Sequence, residues 1–470
     1  MLDPTTMNAT GRATHPLQAS QMPSEQRILL FGRYPVPGQT KTRLIPALGP
    51  VGAADLQRRL TEKTLDTLLH ADVPAASIVF CHSGGTRSQL QRWLGRAGIG
   101  FDRQQGADLG ARMDNAFRAA FRFGCARVVM VGTDIPALTP DHLDTALEAL
   151  RRHDLVLGPS RDGGYWLIGM RRPLDLFQNI KWGGPQVLTQ TLAAAGRLGL
   201  SVAQLETLND IDTPADLSDW PSPEYRRTYL TVIIPALNEA GNISRTIEAA
   251  QAADSEILLA DGGSSDQTIS IARAAGIAVI QAPRGRAIQQ NTAARHASGR
   301  VLLFLHADTR LPADYPAQVF ETLMDPAVVA GAFGFKADWN RRDMRLIEQT
   351  VRLRATLFQL PYGDQGLFMP RAVFARAGGF PLVPVAEDLL LVRQLKKLGR
   401  IALAPGSAVT SARRWRARGL WRTTLRNYLI AGACLAGIDP KHLAPLLRSR
   451  LNRNASNGDP RDPAAARHQR

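Results

Sequence analysis

Two apolar runs in this chain end on a carboxylate: VVMVGTD (128–134) closes on Asp134, and LLFLHAD (302–308) closes on Asp308. A carboxylate at the end of a buried strand is held rigidly, yet faces the edge where open α/β sheets bind ligands. Hard oxygen donors of that kind suit a divalent cation. Each acid has chemical company in its own half of the chain. The second half supplies His306 in the same HAD triplet, Asp261 ending LLAD, and the neighbours Glu387 and Asp388 in VAEDLLLV. The first half supplies Asp210 and Asp212 in NDIDTPADL, and the loop GRYPVPGQTKTRL (32–44) with Gly38, Lys41 and Arg43. Glycine lets backbone approach a phosphate closely, and the two cations would neutralise it. This is not a Walker A loop, because no GK[ST] ends it. Metal-assisted transfer at phosphorylated substrates is the chemistry that such sets can do.

These residues need strands and helices to position them. Both halves alternate apolar runs with helical periodicity, the pattern of a parallel sheet with crossover helices. Strands are expected at 27–35, 76–82, 127–134 and 154–160, then at 229–239, 255–263, 276–283 and 300–308. Helical patterns fill the intervals, among them LGARMDNAFRAAFRFG in the first half and RAIQQNTAARHAS in the second. TPADLSDWPSPEYRR (213–227), rich in proline and charge, reads as the hinge. The expected organisation is a disordered leader over 1–26, domains over 27–222 and 229–450, and a disordered basic tail over 451–470. The leader lacks the apolar core of a signal peptide.

The order and spacing of VIIPALNEAGNI, LLADGGSSDQT, FLHADTRLP and VAEDLLLVRQLKKLG resemble family 2 glycosyltransferases of the GT-A fold, from about Leu230 to about Leu446. The resemblance implies that Asp261 contacts the nucleotide base or ribose of a nucleoside diphosphate sugar. It further implies that Asp308 binds a divalent metal on the diphosphate and that Asp388, beside Glu387, deprotonates the acceptor. The family's DXD motif is here His306-Ala307-Asp308, so one acid is replaced by imidazole. Nitrogen ligates Mn²⁺ more readily than Mg²⁺, and both are candidates. Arg284 and Arg286 of PRGR, or Arg413 and Arg414 of SARRW, are candidate diphosphate contacts. SARRW resembles the QxxRW motif of processive members with Ser411 in place of Gln. The phrases APRGRAIQQN, FLHADTRLP and YGDQGLFMPR resemble a subfamily found beside radical-SAM and selenium-domain genes, some linked to arsenosugar formation. Read by themselves, Glu387 and Asp388 also fit a helix N-terminus, and Gly363-Asp364-Gln365-Gly366 fits either a turn or a loop near the acceptor.

The segment from Arg27 to Leu217 resembles GT-A-like nucleotidylyltransferases, including guanylyltransferases acting on phospholactate or related phospho-acids. It also resembles a partner subfamily of the second-half transferase through PVPGxxKTRL, GTDIP, GPSRDGGYWLIG and NDIDTPADL. The resemblance implies metal ligation by Asp134 and Asp212, with Asp210 an alternative, and a substrate loop at 160–167 in which Tyr165 or Trp166 offers a stacking face. DIDTPADL is equally a capped helix start, with Asp212 or Thr213 as cap. This half would hold a nucleoside triphosphate and transfer a nucleotide, or transfer a sugar. It shows no counterpart of the Glu387-Asp388 pair. Both halves as glycosyltransferases, and one half as a non-catalytic scaffold, are the alternatives.

Composition narrows the classes. The 470 residues, 44% hydrophobic and 21% charged, suit two or three domains. Cys81, Cys125 and Cys434 lie far apart without CxxC spacing, which disfavours disulfides and structural zinc and fits the cytoplasm. The net charge is +16, concentrated late: Arg413, Arg414, Arg416, Arg418, Arg422 and Arg426 surround Trp415 and Trp421. No helix-turn-helix, zinc or RNP pattern accompanies that charge, so nucleic acid is the disfavoured partner. GLWRTTLRNYLIAGACLAGI (419–438) is too short in apolar residues to span a bilayer. It reads either as a core helix or as one lying on the inner membrane surface, which would suit a lipid acceptor as well as a small-molecule one.

Overall fold

The computed structural model describes residues 25–219, 228–252 and 255–443. The expected leader up to residue 24, residues 220–227 of the expected hinge and the expected tail 451–470 lie outside the described residues. Two compact units emerge. One holds Leu60–Ile211 with the chain up to Tyr34, the other Pro35–Arg59 with the chain from Asp212 onward.

The first sheet contains β1 (Gln26–Arg33), β2 (Ile78–Ser83), β3 (Gly100–Arg103), β4 (Arg127–Gly132), β5 (Leu155–Pro159), β6 (Tyr165–Met170) and β7 (Val202–Gln204). Its strand order is β3-β2-β1-β4-β6-β5-β7. The second sheet contains β8 (Leu230–Ala236), β9 (Ser255–Asp261), β10 (Ala278–Gln281), β11 (Val301–Phe304), β12 (Thr309–Arg310), β13 (Val328–Ala337), β14 (Leu367–Pro370) and β15 (Arg400–Thr410). Here the order is β10-β9-β8-β11-β14-β13-β15-β12. Each is a mixed sheet in a chain that alternates strands with helices, so two α/β sheets follow one another along the sequence.

All eight expected strands form, as β1, β2, β4 and β5 and as β8 to β11. The expectation of a parallel sheet holds for β3-β2-β1-β4 and β10-β9-β8-β11 and fails beyond them. β6 runs antiparallel to β4 and β5, and β14 runs antiparallel to β11 and β13. The loop 160–164 between β5 and β6 explains the first case, because a parallel return needs a crossover of a dozen or more residues. Continuous Val, Ile and Leu runs mark strands covered on both faces, and every residue of β8 is buried.

Helix packing fixes the strand ends. On the helix Leu109–Arg122, Met113, Phe117 and Ala120 recur at i, i+4 and i+7 and join Leu29, Val79 and Met130 in one core. Truncating Phe117 to Ala should cost about 3–5 kcal/mol. In the second sheet Phe304, the last residue of β11, meets Phe380 edge-on at 4.8 Å between ring centroids. That contact anchors the strand leading to the HAD triplet. The three cysteines are buried and free.

Candidate active site

Three backbone bonds hold the HAD turn in place. Thr309 N donates to His306 O (3.0 Å), Ser411 N donates to Asp308 O (2.9 Å), and Thr246 Oγ1 donates to Ala307 O (2.8 Å). The Asp308 side chain is 6% exposed and pairs with Arg413 (Nη2–Oδ2, 3.1 Å). The same guanidinium pairs with Glu239, whose other carboxylate oxygen accepts from Asn242 Nδ2 (2.8 Å). Glu239 was not among the sequence-predicted residues. Its signal was available, since it is an acid on the loop after the first strand of its sheet, where the first half carries its phosphate-loop cations.

Across the HAD turn lies the loop Tyr362–Gly366. Gly363 N donates to Asp388 Oδ2 (2.7 Å). A β-carbon on Gly363 would stand 2.9 Å from His306 Nε2 and 3.1 Å from Asp388 Oδ2. Only glycine therefore leaves the space between that imidazole and that carboxylate open. His306 Nε2 is buried and has no hydrogen-bond partner among the described residues. Burial, then the charges of Arg286 and Arg414, hold the His306 imidazole well below its ordinary pKa. It is neutral near pH 7 and keeps a lone pair. Asp364 is the fourth ionisable group of this cluster: burial first, with Asp388 and Asp308 also adding, pushes its carboxyl up to about 6 against the opposing charges of Arg354 and Arg414.

Glu387 and Asp388 open the helix Glu387–Leu398, and their side chains diverge. Glu387 is buried and paired with Arg286 (Nη1–Oε1, 3.0 Å). Burial raises its pKa most, Arg286 opposes, and Asp388 adds to the rise. Asp388 Oδ1 accepts from Leu389 N (2.8 Å), the helix-start role that the sequence allowed. Its other oxygen faces Gly363. Of the two acids, Asp388 is the one turned toward the space beside His306.

Asp261 is buried at the end of β9, and its Oδ2 accepts from Gly263 N (2.8 Å) and Ser264 N (3.0 Å). Its carboxylate thus shapes the loop that would meet the nucleoside. Arg284 is exposed, and Arg414 is exposed within electrostatic reach of Asp308 and Asp364. Among the described residues no three of His, Cys, Asp and Glu converge as a ready metal centre. Two donors do fit a cation, the unpartnered His306 Nε2 and the Asp308 carboxylate. Cations bound through one or two protein ligands complete their shell with substrate phosphates and water.

In the first half, Lys41 adopts a left-handed backbone (φ 51°) and its ammonium faces Asp212 (Nζ–Oδ1, 3.4 Å). Arg43 pairs with the same carboxylate (Nη1–Oδ2, 2.7 Å). Phosphate loop and expected metal ligand are thus joined to each other. Asp134 Oδ1 accepts from Thr133 Oγ1 (3.1 Å), and Asp134 O accepts from Ile211 N (3.1 Å). Asp210 has polar interactions of its own, and Gly38 takes a positive φ of 77° in the loop. Thr213 stands immediately before the short helix Pro214–Asp219, one of the two cap positions that the sequence allowed, and Asp216 in the first turn reaches back, its Oδ2 accepting from Asp212 N (3.1 Å) and Thr213 N (2.7 Å). One expectation needs correction. Trp166 offers no stacking face: it is 3% exposed and its Nε1 donates to Glu206 O (3.2 Å). β6 is an internal strand buried on both faces, so Trp166 lies against Gly158 and Tyr165 packs against the core around Phe117. In the loop before them, a β-carbon on Gly163 would lie 2.0 Å from Pro185 O, and φ is +88°.

Comparison with known proteins follows this division. Residues 64–184 match the family described as "Uncharacterized protein conserved in bacteria (DUF2064)", and residues 231–379 match glycosyl transferase family 2. A 3-phospho-D-glycerate guanylyltransferase of Phenylobacterium zucineum is 31% identical over 185 residues, 37% of this chain and 81% of that protein. A phosphoenolpyruvate guanylyltransferase of Sphaerobacter thermophilus is 27% identical over 180 residues, 38% of this chain and 85% of that protein. Among solved structures, a mannosyltransferase from Pyrobaculum calidifontis in complex with GDP-Man and Mn²⁺ is 25% identical, with a TM-score of 0.36, covering 47% of this chain and 68% of that one.

Proposed function

We propose a division of labour: the chain belongs with the guanylyltransferases through its N-terminal half, and residues 231–379 of its C-terminal half match glycosyl transferase family 2. The N-terminal half couples a nucleoside triphosphate to a phospho-acid or sugar phosphate with release of pyrophosphate. The C-terminal half transfers a sugar from a nucleoside diphosphate sugar to a hydroxyl acceptor, either a small molecule or a lipid. The observation that carries the second part is the space over Gly363, flanked by the Asp388 carboxylate and the unpartnered His306 nitrogen.

In the C-terminal half Asp388 takes the proton from the acceptor hydroxyl as it attacks the anomeric carbon, a contribution of about 100- to 10,000-fold. Arg286 fixes Glu387 beside it. Arg413 and Arg414, with Arg284 exposed nearby, meet the negative charge that develops on the departing diphosphate. Asp261 and its loop hold the nucleoside. Asp308 and His306 would hold the divalent cation, Mn²⁺ being favoured by the nitrogen donor, which would neutralise the diphosphate. In the N-terminal half Lys41 and Arg43 contact the triphosphate, while Asp134 and Asp212, with Asp210 as the alternative, would hold a divalent cation that neutralises it. Similarity to guanylyltransferases makes GTP the nucleotide to test first and a three-carbon phospho-acid its partner. The alternative of a second glycosyltransferase in this half is disfavoured by its helix Val187–Arg197, which carries no acid in its first turn.

Two assays on the whole protein test the division. Pyrophosphate release from GTP with phospho-acids should vanish in Asp134→Ala and persist in Asp308→Ala. Hydrolysis or transfer of a nucleoside diphosphate sugar should show the opposite pattern. Loss of both activities in either variant would refute it.

A further inference from the structure

The helix Leu420–Leu435 turns Leu420, Ile430, Ala431 and Cys434 inward. That satisfies a core helix, but it leaves a second apolar stripe outside. Trp421, Leu425 and Leu429, at i, i+4 and i+8, are each more than half exposed. The neighbouring helix Arg342–Leu357 does the same with Leu346, Leu353 and Leu357. The two helices meet where Thr350 Oγ1 and Tyr428 Oη stand 3.3 Å apart. Leu346, Leu353 and Leu357 share the helical face of Thr350, while Trp421 and Leu425 share that of Tyr428. The stripes therefore flank one seam, and contiguous exposed apolar surface marks an interaction site.

Charge identifies the partner. Arg422 and Arg426 lie one turn apart on this helix, and Arg418, the last residue of the helix Arg413–Arg418 before the break at Gly419, stands within electrostatic reach of Arg426; no acid pairs with these three among the described residues. Arg426 Nε and Nη2 are buried without a hydrogen-bond partner there. Burial, then the charges of Arg418 and Arg422, lower the pKa of Arg426. Three arginines repelling one another around unsatisfied donors call for an anion. A second copy of this face would bring arginines against arginines. The chain beyond residue 443 is an equally poor cover, with six arginines against two aspartates. Nucleic acid would satisfy the arginines and leave the leucines in water.

We infer that this two-helix face docks on an anionic phospholipid surface, with Trp421 and the leucine stripes at the acyl boundary and Arg418, Arg422 and Arg426 on headgroup phosphates. Among the described residues no helix is long and apolar enough to cross a membrane, so the contact is in the plane of the interface. It stands independently of the transfer chemistry proposed above.

Flotation of the full chain with phosphatidylglycerol-containing vesicles, against pure phosphatidylcholine, tests this. Binding should require the anionic lipid and weaken as salt rises. Arg418→Ala with Arg422→Ala should weaken it by about 30-fold at low ionic strength, roughly fivefold per arginine. Leu425→Ser with Leu429→Ser should weaken it tenfold or more, roughly the loss of two buried side chains, with the thermal midpoint unchanged because both residues are exposed. Should that variant misfold, the Trp421 emission, isolated by difference from Trp421→Phe, must shift to the blue on anionic vesicles. Absence of vesicle binding, equal binding by the variants, a self-associated species abolished by the leucine changes, or binding to DNA in place of vesicles would each overturn the inference.

Discussion

The two sheets share their strand order through seven positions, β3-β2-β1-β4-β6-β5-β7 against β10-β9-β8-β11-β14-β13-β15, and differ in the sign of their charges. Each ties the carbonyl of its central acid to the segment after its last shared strand, Ile211 N to Asp134 O and Ser411 N to Asp308 O. In the first, the loop after β1 carries cations, Lys41 and Arg43, which pair with Asp212 beyond β7. In the second, the loop after β8 carries an acid, Glu239, which pairs with Arg413 beyond β15. A further difference sits at the helix before that last strand. It opens with Glu387 and Asp388 in the second sheet and with Val187 and Leu188 in the first. One frame thus presents the same positions twice, and the side chains placed there decide the chemistry. A cationic loop suits a triphosphate; a paired acid at a helix start suits proton removal.

The largest effect expected from this contrast is at Asp388. Asp388→Asn should lower sugar transfer by about 100- to 10,000-fold, while pyrophosphate release by the N-terminal half stays at the level of the parent protein. Equal loss in both assays would mean that the halves do not divide the chemistry. Gly363→Ala should act next most strongly. Its β-carbon would crowd His306 Nε2 at 2.9 Å and Asp388 Oδ2 at 3.1 Å, and a displacement of that scale costs about a hundredfold in rate. Gly38→Ala in the first half meets no neighbour within 4 Å, although its φ of +77° strains it. Purified Gly363→Ala transferring sugar at the parental rate would show that the space over Gly363 is not where the acceptor reacts.

Much of this was legible in the sequence because buried parallel strands announce themselves. β1, β4, β8 and β11 are unbroken apolar runs, and the acids that follow them stand where strand ends must place them. What escaped were the short strands β3, β7 and β12, the long but partly exposed β13 and β15, and the antiparallel β6 and β14, whose direction depends on loop length and tertiary pairing rather than composition. The site divides in the same way. Asp308 and Asp388 were visible through their local phrases. The pairing of Glu239 with Arg413 joins residues 174 apart in the chain, and nothing local records it. Trp166 misled for a related reason, since an aromatic residue beside a glycine loop looks like a ligand platform until tertiary pairing makes its strand an internal one, covered on both faces. The elevated Asp364 is a property of burial, which GDQG does not reveal.

Asp364 gives the smallest and most specific effect. Its carboxyl titrates near 6 in the folded protein and near 3.8 when unfolded, so between those values the folded state holds a proton that the unfolded chain has released. Stability contributed by this group is therefore present below about pH 4, falls as pH rises toward 6, and is level above that. Carboxylates held low by partners, such as Asp154 at about 2, act in the opposite sense at lower pH, so the informative quantity is the difference between variants. Asp364→Asn cannot ionise. Relative to the parent protein, its denaturant midpoint should gain between pH 4 and pH 6 and hold a constant advantage above. Among the described carboxyls of the first domain none is raised in this way, so a matched neutral change there, Asp154→Asn, should instead lose stability relative to the parent protein as pH rises from about 2 to 3.8. If Asp364→Asn tracks the parent protein at every pH, the carboxyl titrates in the folded protein as it does in the unfolded chain, and the electrostatic picture of the space between Asp388 and Asp308 is wrong.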